Sequence, residues 1–129
     1  MRFTHWRWKS KMNNYHRGHF AEFLARMYLT MHGYRFVCRN FVTGRGTTAG
    51  EIDLIMRRGK TLVFVEIKQR QTLNTAAYAI SEKQKQRIMR GAQSFLKHYP
   101  QYVGFDVRFD AVLIKLPFAV RHIQNAWTM

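Results

Sequence analysis

The stretch GEIDLIMRRGKTLVFVEIKQR, Gly50–Arg70, contains two apolar runs separated by RRGK. The runs predict β-strands at about residues 51–56 and 61–68, and Gly59 permits the positive φ of a tight turn between them. The hairpin also holds three of the seven acidic residues of the chain and a lysine: Glu51, Asp53, Glu66 and Lys68. The charges of this hairpin are therefore the main clue to function.

Side chains alternate between the two faces of a strand. With a turn of even length, one face of this hairpin is apolar and carries Ile52, Leu54, Val63, Val65 and Ile67. The other face is apolar near the turn and charged at the open end. We therefore expect a charged pocket where the hairpin opens.

The position of the turn decides which acids meet. A two-residue turn at Arg58–Gly59 sets Glu51 opposite Glu66, whereas a turn at Gly59–Lys60 sets Asp53 opposite Glu66. The sequence leaves both registers open. In either register two carboxylates meet, and at about 4 Å they repel by about 4 kcal/mol if the effective dielectric constant is near 20.

Two explanations account for these charges. One is an ion-pair network at the edge of the sheet, in which Lys68 pairs with Glu66. The other is a site for Mg²⁺ (or Mn²⁺), which prefers oxygen ligands and often binds to one or two carboxylates. Such a cation polarises a phosphodiester and lowers the pKa of bound water, while a lysine stabilises charge on the phosphate. The acid pair, the hairpin and E-x-K together favour the metal site.

Helices flank the hairpin in the sequence. Between His19 and His32 the helical spacing of apolar residues predicts an amphipathic helix that ends at Gly33. Its predicted apolar stripe consists of Phe20, Phe23, Leu24, Met27, Tyr28 and Met31. Ser81 and Gln84 form a capping box at the start of a second helix, which Pro100 ends. Its predicted stripe consists of Ile88, Ala92, Phe95, Leu96 and Tyr99.

Further strands complete the predicted fold. YRFVCRNFV (Tyr34–Val42) precedes a glycine-rich, flexible loop, TGRGTTAG, and DVRFDAVLIKL (Asp106–Leu116) follows the second helix. Arg108 and Asp110 alternate to one side of the latter strand, where a simple ion pair would account for them. FAVRHIQNAWTM at the C-terminus predicts an additional edge strand. The order αβββαβ indicates an α/β fold in which helices flank a central mixed sheet.

The length of 129 residues and the apolar content of 47% predict one domain. We assign it to residues 18–129 and expect residues 1–17 to be a basic, mobile N-terminal segment. An ordered nucleic-acid arm, or a start at Met12, are alternatives for this segment.

A formal net charge of +15 favours polyanionic partners, with nucleic acid first and an anionic membrane surface second. No apolar run approaches the ~20 residues that span a bilayer, and the N-terminus has no secretory h-region. Cys38 is the sole cysteine, which excludes an internal disulfide and fits a reducing compartment. We therefore expect a cytoplasmic protein that does not bind membranes.

At the hairpin the sequence resembles the PD-(D/E)XK nuclease superfamily, with Asp53 as the D and Glu66-Ile67-Lys68 as the E-x-K. More closely, it is similar to the YraN family (UPF0102), small bacterial proteins related to archaeal Holliday junction resolvases. The similarity runs from about Gly18 to Ile114 through GHFAEFLARMYL, GYRFVCRNF, GEIDLIM, LVFVEIKQR, KQKQRI and VRFDAVLI. It implies a restriction-endonuclease-like fold and a nuclease or DNA-processing role.

The resemblance also implies roles for single residues. Asp53 and Glu66 would be metal ligands, the Ile67 carbonyl a third ligand, and Lys68 the catalytic lysine. Glu22 corresponds to a first-helix glutamate that related resolvases add to the site.

Two of the acids have structural alternatives. Glu22 has Arg26 at i+4 as a potential ion-pair partner. Glu51 belongs to the GEID signature of the family, and a structural role for it is equally open. Because related resolvases dimerise, the resemblance also implies a homodimer.

A basic surface beside the hairpin is the expected nucleic-acid contact. It comprises Arg70, Lys83, Lys85 and Arg87. Cations are unfavourable in the first turn of a helix, and a bound phosphate would account for the two lysines there. Ordinary solvated lysines are the alternative.

The sequence thus predicts a Mg²⁺-dependent DNA endonuclease, with branched or flapped DNA among its candidate substrates. The alternative is a non-catalytic module that binds nucleic acid or a protein partner on the same fold.

Overall fold

The computed structural model describes residues 12–44, 49–71, 80–115 and 118–127, with side chains from residue 19 onward. The elements are α1 (Met12–Met31), β1 (Arg35–Thr43), β2 (Gly50–Arg58), β3 (Thr61–Gln69), α2 (Glu82–His98), a 3₁₀ turn (Pro100–Tyr102), β4 (Asp106–Lys115) and β5 (Ala119–Ile123). The predicted order αβββαβ is confirmed, and so is the C-terminal strand.

The bounds differ from the prediction mainly at the N-terminus. The first helix begins at Met12 and not at His19, so it starts inside the segment that was expected to be mobile. Residues 1–11 lie outside the described part of the chain, as do residues 45–48 of the glycine-rich loop and residues 72–79. The division into a basic N-terminal segment and one domain therefore stays a prediction.

Within the described residues, the strands form one mixed sheet in the order β1-β2-β3-β4-β5. β3 and β4 are parallel and are connected through α2, while the other neighbours are antiparallel. α1 covers one face of the sheet and α2 the other. This three-layer α/β architecture agrees with the restriction-endonuclease-like fold class.

The β2–β3 turn settles the register that the sequence left open. Arg58 pairs with Thr61, so Gly59 and Lys60 form the turn, and Gly59 has a φ of +59°. The pairing continues as far as Leu54 and Val65. Continued by one residue, this register would bring Asp53 level with Glu66.

The predicted faces of the hairpin are wrong around Ile52. Ile52 packs in the α2-side cluster together with Ile55, whereas Leu54 packs on the α1 side. Asn40, between the partners of Leu54 and Ile52 on β1, has a left-handed φ of +51°. Such a conformation interrupts the regular alternation of a strand. The two strands are therefore irregular at the level of Asp53.

α2 begins and ends close to the predicted residues. The Ser81 hydroxyl accepts a hydrogen bond of 3.1 Å from the Gln84 amide, which confirms the N-cap. At the other end, the Tyr99 amide bonds to the Phe95 carbonyl, and Pro100 starts the 3₁₀ turn.

The middle of α2 lies directly on β2. A Cβ atom added at Gly50 would lie 2.4 Å from the amide nitrogen of Gly91, a distance that real Cβ atoms do not adopt. Only a pair of residues without side chains permits this approach. The pair therefore fixes α2 at short range against the strand that carries Asp53.

The predicted orientation of α1 is wrong. Its buried residues are small or on the other side of the helix: Ala21, Glu22, Ala25 and Leu29. Most of the predicted stripe is exposed, namely Phe20, Phe23, Met27 and Met31. α1 is apolar on two sides. The side with Ala21 and Ala25 lies close to the sheet because alanine side chains are short. Leu24 and Tyr28 are partly buried between the two sides.

Candidate active site

Asp53 lies where β2 and β3 stop pairing. Its Oδ2 accepts a hydrogen bond of 2.9 Å from the backbone amide of Ile67. The carboxylate thus binds an amide of β3 beyond the last regular pair, Leu54 with Val65. This contact holds the Asp53 side chain between the two strands at the open end of the hairpin, as the sequence predicts.

Glu66, on the neighbouring strand, is 6% exposed and lies near enough for its charge to raise the pKa of Asp53. Its Oε1 accepts hydrogen bonds from Nζ of Lys68 at 3.0 Å and from Nε2 of Gln84 at 2.6 Å. The ion pair with Lys68 is the one that the sequence suggests. Gln84 was not predicted to belong to the site.

The role of Gln84 corrects the predicted capping box. In a full capping box the glutamine side chain returns to the N-cap backbone. Here only the Ser81 half of the box forms, and the amide of Gln84 reaches across to Glu66. The position of Gln84 in the first turn of α2, on the side that faces the sheet, was the available signal for this contact with Glu66.

The surroundings shift the protonation of both carboxyls. Burial raises the pKa of Asp53 to about 8, the nearby negative charge of Glu66 adds to the rise, and the Ile67 amide and Lys68 oppose it. Burial also raises the pKa of Glu66, against the opposing effect of Lys68. Near neutral pH the Asp53 carboxyl therefore retains a proton that an exposed aspartate would release.

A pocket of about 280 Å³ opens beside Asp53 on the α1 side of the sheet. Its lining residues are His19, Ala21, Glu22, Asn40, Asp53, Ile67 and Gln69. The pocket thus brings together three residues to which the resemblance gives a role: Glu22, Asp53 and Ile67. Asn40 is an addition that sequence reasoning missed, and its left-handed backbone places it here.

Glu22 is buried and does not pair with Arg26, its predicted alternative partner. Nη1 of Arg39 on β1 donates to Oε1 of Glu22 at 3.0 Å, and the Arg26 guanidinium lies 3.8 Å from the Phe36 ring centre. The cause is the orientation of α1, which turns Glu22 towards the sheet. Glu22 thus has Arg39 as its cationic partner and also lines the pocket.

Glu51 has a structural partner. Its Oε1 accepts a hydrogen bond of 3.0 Å from Nη2 of Arg87, and the Glu51 side chain is 44% exposed. Nε of Arg90 bonds to the Ala49 carbonyl at 3.0 Å. Two arginines of α2 therefore hold the start of β2 in place.

The predicted basic surface is only partly available to a ligand. Arg87 is engaged by Glu51, and Lys85 contacts Glu82 at 3.5 Å. Lys83 is exposed in the first turn of α2. Arg70 is exposed at the end of β3, and its charge is one of those that oppose the rise in the pKa of Glu66. Among these four residues, Arg70 therefore lies close enough to Glu66 for its charge to lower the pKa of that carboxyl.

The donor set suits a hard cation that keeps part of its water shell. No group of three His, Cys, Asp or Glu side chains within the described ranges is arranged to hold a metal ion. Asp53 and Glu66 supply two carboxylates, and Mg²⁺ commonly uses one or two of these with water and phosphate oxygens. The carboxylate pair and the Ile67 carbonyl are compatible with that requirement.

A second polar cluster lies elsewhere on the sheet, around the buried carboxylate of Asp110. Arg108 binds it with two hydrogen bonds of 2.9 and 2.8 Å, which confirms the predicted pairing of these two residues. Nε2 of His122 lies 2.7 Å from Oδ2, and the Asn125 amide donates to Oδ1 at 2.9 Å. This cluster ties β5 and the segment after it to β4.

No helix in the described part of the chain is both long and apolar enough to cross a membrane. The model of the uncharacterised protein family UPF0102 matches residues 21–114. A UPF0102 protein of Paramagnetospirillum magneticum is 43% identical over 86% of this chain and 86% of its own length. One of Nitrobacter winogradskyi is 43% identical over 88% of this chain and 92% of its own.

A UPF0102 protein of Rhodopseudomonas palustris is 46% identical over 83% of this chain and 76% of its own length. The family match includes the hairpin, α2 and the second half of α1. The chain therefore belongs to the UPF0102 family.

Proposed function

We propose that this protein is a metal-dependent endonuclease that hydrolyses phosphodiester bonds in DNA. The observation that carries the proposal is the placement of Asp53 and Glu66 on neighbouring strands at the open end of the hairpin, with Asp53 bound to the Ile67 amide and Nζ of Lys68 3.0 Å from Oε1 of Glu66. The raised pKa of both carboxyls supports it, because a divalent cation would compensate the repulsion that a proton now relieves.

Asp53 and Glu66 would hold Mg²⁺ or Mn²⁺, with the Ile67 carbonyl as a third donor and Glu22 contributing from the pocket. When bound, such an ion polarises the phosphodiester and lowers the pKa of water. The Ile67 amide keeps Asp53 oriented, and Gln84 keeps Glu66 oriented. Lys68 would stabilise negative charge that develops on the phosphate.

The charge of the chain supports DNA as the substrate. A net charge of +15 favours binding to the phosphate backbone. Arg70, whose charge acts on Glu66, and Lys83, which precedes Gln84 in the chain, are both exposed and would contact phosphates. Branched and flapped DNA are the first structures to test, because the resemblance to junction resolvases points to them.

The test is cleavage of labelled single-stranded, duplex, flapped and four-way DNA by the purified protein with Mg²⁺ or Mn²⁺. We expect cleavage by the wild type, none without metal, and a loss in Asp53→Asn. Asp106→Asn is the matched control, since Asp106 is an exposed aspartate at the start of β4. Cleavage that is equal in both variants would show that a contaminant or another site is responsible.

A non-catalytic nucleic-acid-binding module is the second candidate function. The existing ion pair of Glu66 and Lys68 favours it, because a purely structural site would have the same contact. Salt-sensitive DNA binding without cleavage, unchanged in Asp53→Asn, would support this alternative.

A further inference from the structure

The outer side of α1 is a continuous apolar surface on a strongly cationic chain. It consists of Phe20, Phe23, Met27 and Met31, and we call these four residues the α1 ridge. They are 40, 50, 46 and 78% exposed. Phe36, on the neighbouring β1, is 40% exposed and lies beneath the Arg26 guanidinium.

α2 provides the comparison within the same molecule. Its exposed positions are polar: Glu82, Lys83, Gln86, Gln93, Lys97 and His98. A helix with one buried apolar side and one polar side needs no further partner, whereas a helix that is apolar on two sides needs a cover on both. The sheet covers the inner side of α1 through Ala25 and Leu29.

We propose that a second copy of this chain covers the α1 ridge, so that two α1 helices pack across a two-fold axis. Phe23, Met27 and Met31 are spaced by four residues and form one continuous ridge. Two such ridges interdigitate at about −50° in the commonest class of helix packing. A two-fold axis requires a surface that matches itself, and this ridge meets that condition with Met27 at its centre.

The exposed area suits a weak dimer. Taking roughly 200 Å² as the full surface of a large side chain, the α1 ridge exposes about 430 Å² per protomer. The two copies together would bury about 900 Å², just below the ~1,000 Å² of a stable specific interface. The area fits a dimer that dissociates on dilution.

The distribution of charge selects a second copy over an acidic partner. None of the four ridge residues is ionisable, so two strongly cationic chains meet through their neutral surfaces. The nearby Arg26 is held over Phe36 instead of over the ridge. A partner recruited by its negative charge would instead be met by arginine and lysine side chains. Because added salt screens the repulsion between the two chains, the dimer should be tighter at high salt.

The test is sedimentation equilibrium of the full chain, freed of nucleic acid, over a wide range of protein concentration at low and high salt. We expect a reversible dimer that salt does not weaken. Met27→Arg would place two like charges at the axis and raise the dissociation constant by about a hundredfold or more. The matched control is Gln93→Arg, which adds the same charge on the exposed side of α2 and leaves the dimer intact.

A second measurement does not depend on equilibrium affinity. Met27→Cys should be captured as a dimer by a short bis-maleimide, whereas Gln93→Cys should not. Cys38 is buried and does not compete. Thermal unfolding of each variant provides the control that the substitutions at exposed positions leave the fold intact.

Three results would overturn the proposal. The first is a wild-type chain that stays monomeric at every concentration, and the second is a dimer that Met27→Arg leaves as stable as Gln93→Arg does. The third is a monomer that becomes a dimer only after residues 1–11 are removed, because the chain's own N-terminal segment would then be the cover.

Discussion

Nε2 of Gln84 donates a hydrogen bond of 2.6 Å to Oε1 of Glu66, and it joins the first turn of α2 to the end of β3. The same carboxylate oxygen is bound by Lys68. Partners of this kind fix the orientation of a ligand without touching the metal, and their loss commonly costs ten- to a hundredfold in affinity or activity. Gln84 is thus a positioning residue for the proposed site.

We therefore expect Gln84→Ala to raise the Mg²⁺ concentration needed for half-maximal cleavage by about tenfold or more. A titration of the cleavage rate with Mg²⁺ measures this effect. Gln86→Ala is the control, because Gln86 is exposed on the same turn of α2 and should leave the titration unchanged. Equal titration curves for the two variants would exclude a positioning role.

Replacement of Asp53 should stabilise the protein while it removes metal binding. Because the folded pKa is raised to about 8, the folded chain holds a proton that the unfolded chain releases above about pH 4. The free energy of unfolding should therefore fall as pH rises from about 4 to about 8. In Asp53→Asn this pH-dependent decrease in stability should be absent.

Thermal unfolding with and without Mg²⁺ measures both effects. At about pH 8, Asp53→Asn should unfold at a higher temperature than the wild type in the absence of metal. Mg²⁺ should stabilise the wild type and not the variant. Asp106→Asn should behave as the wild type in both respects, and a Mg²⁺ response that persists in Asp53→Asn contradicts the ligand assignment.

Lys68→Gln should separate metal binding from chemistry. Removal of a cation beside Glu66 leaves Mg²⁺ binding intact or tighter, because like charges repel. The cleavage rate at saturating Mg²⁺ should nevertheless fall by about 10²–10³, as for the loss of one donor to developing charge. Single-turnover cleavage and the thermal shift with Mg²⁺ provide the two readouts. A rate equal to that of the wild type would assign Lys68 to structure alone.

Asp110→Asn should destabilise the fold in a manner that depends on pH. Burial alone would raise the pKa of Asp110, but hydrogen bonds from His122 and Arg108 outweigh it and hold the pKa below the usual value. Removal of this buried charge costs about 3–5 kcal/mol. The contribution is fully present above the unfolded pKa of about 3.9 and is lost as the pH falls through the lower folded pKa.

Urea unfolding at a series of pH values tests this prediction. The difference in unfolding free energy between wild type and Asp110→Asn should be constant near neutrality and shrink below about pH 4. A difference that does not change with pH would mean that the variant acts through packing and not through charge.

The hairpin, the cap at Ser81 and the order of the elements could be predicted because their signals are local. Alternating apolar residues specify strands, and a serine before a helical pattern specifies an N-cap. These signals are sufficient to place Asp53 and Glu66 at one end of the hairpin. The two possible registers differ by one residue in the position of the turn. No local signal in the sequence distinguishes them.

The orientation of α1 could not be predicted for a different reason. Periodicity identifies apolar positions, but α1 has two apolar sides and the larger residues lie on the outer one. The sheet accepts Ala21 and Ala25 because they let the helix approach closely. The partner of Glu22 followed from this orientation, so Arg39 on β1 replaced the expected Arg26.

Gln84 and Asn40 were missed because their roles are not local. A capping box offered Gln84 a partner within its own helix, and only the packing of α2 on the sheet brings Glu66 within reach. Asn40 reads as an ordinary strand residue until its positive φ is seen. Long-range contacts and unusual backbone angles of this kind leave little trace in a single sequence.

The Gly59–Lys60 turn sets the spacing of the two carboxylates, although it lies at the opposite end of the hairpin from them. One additional residue in this turn would move β3 by one position along β2 and send Glu66 to the other face of the sheet. Glu66 would then lose its contact with Gln84 and its place level with Asp53, with no change to any residue near them. The length of this turn is accordingly constrained by the geometry of the proposed site far from it, whereas its residue types need only permit the turn to form.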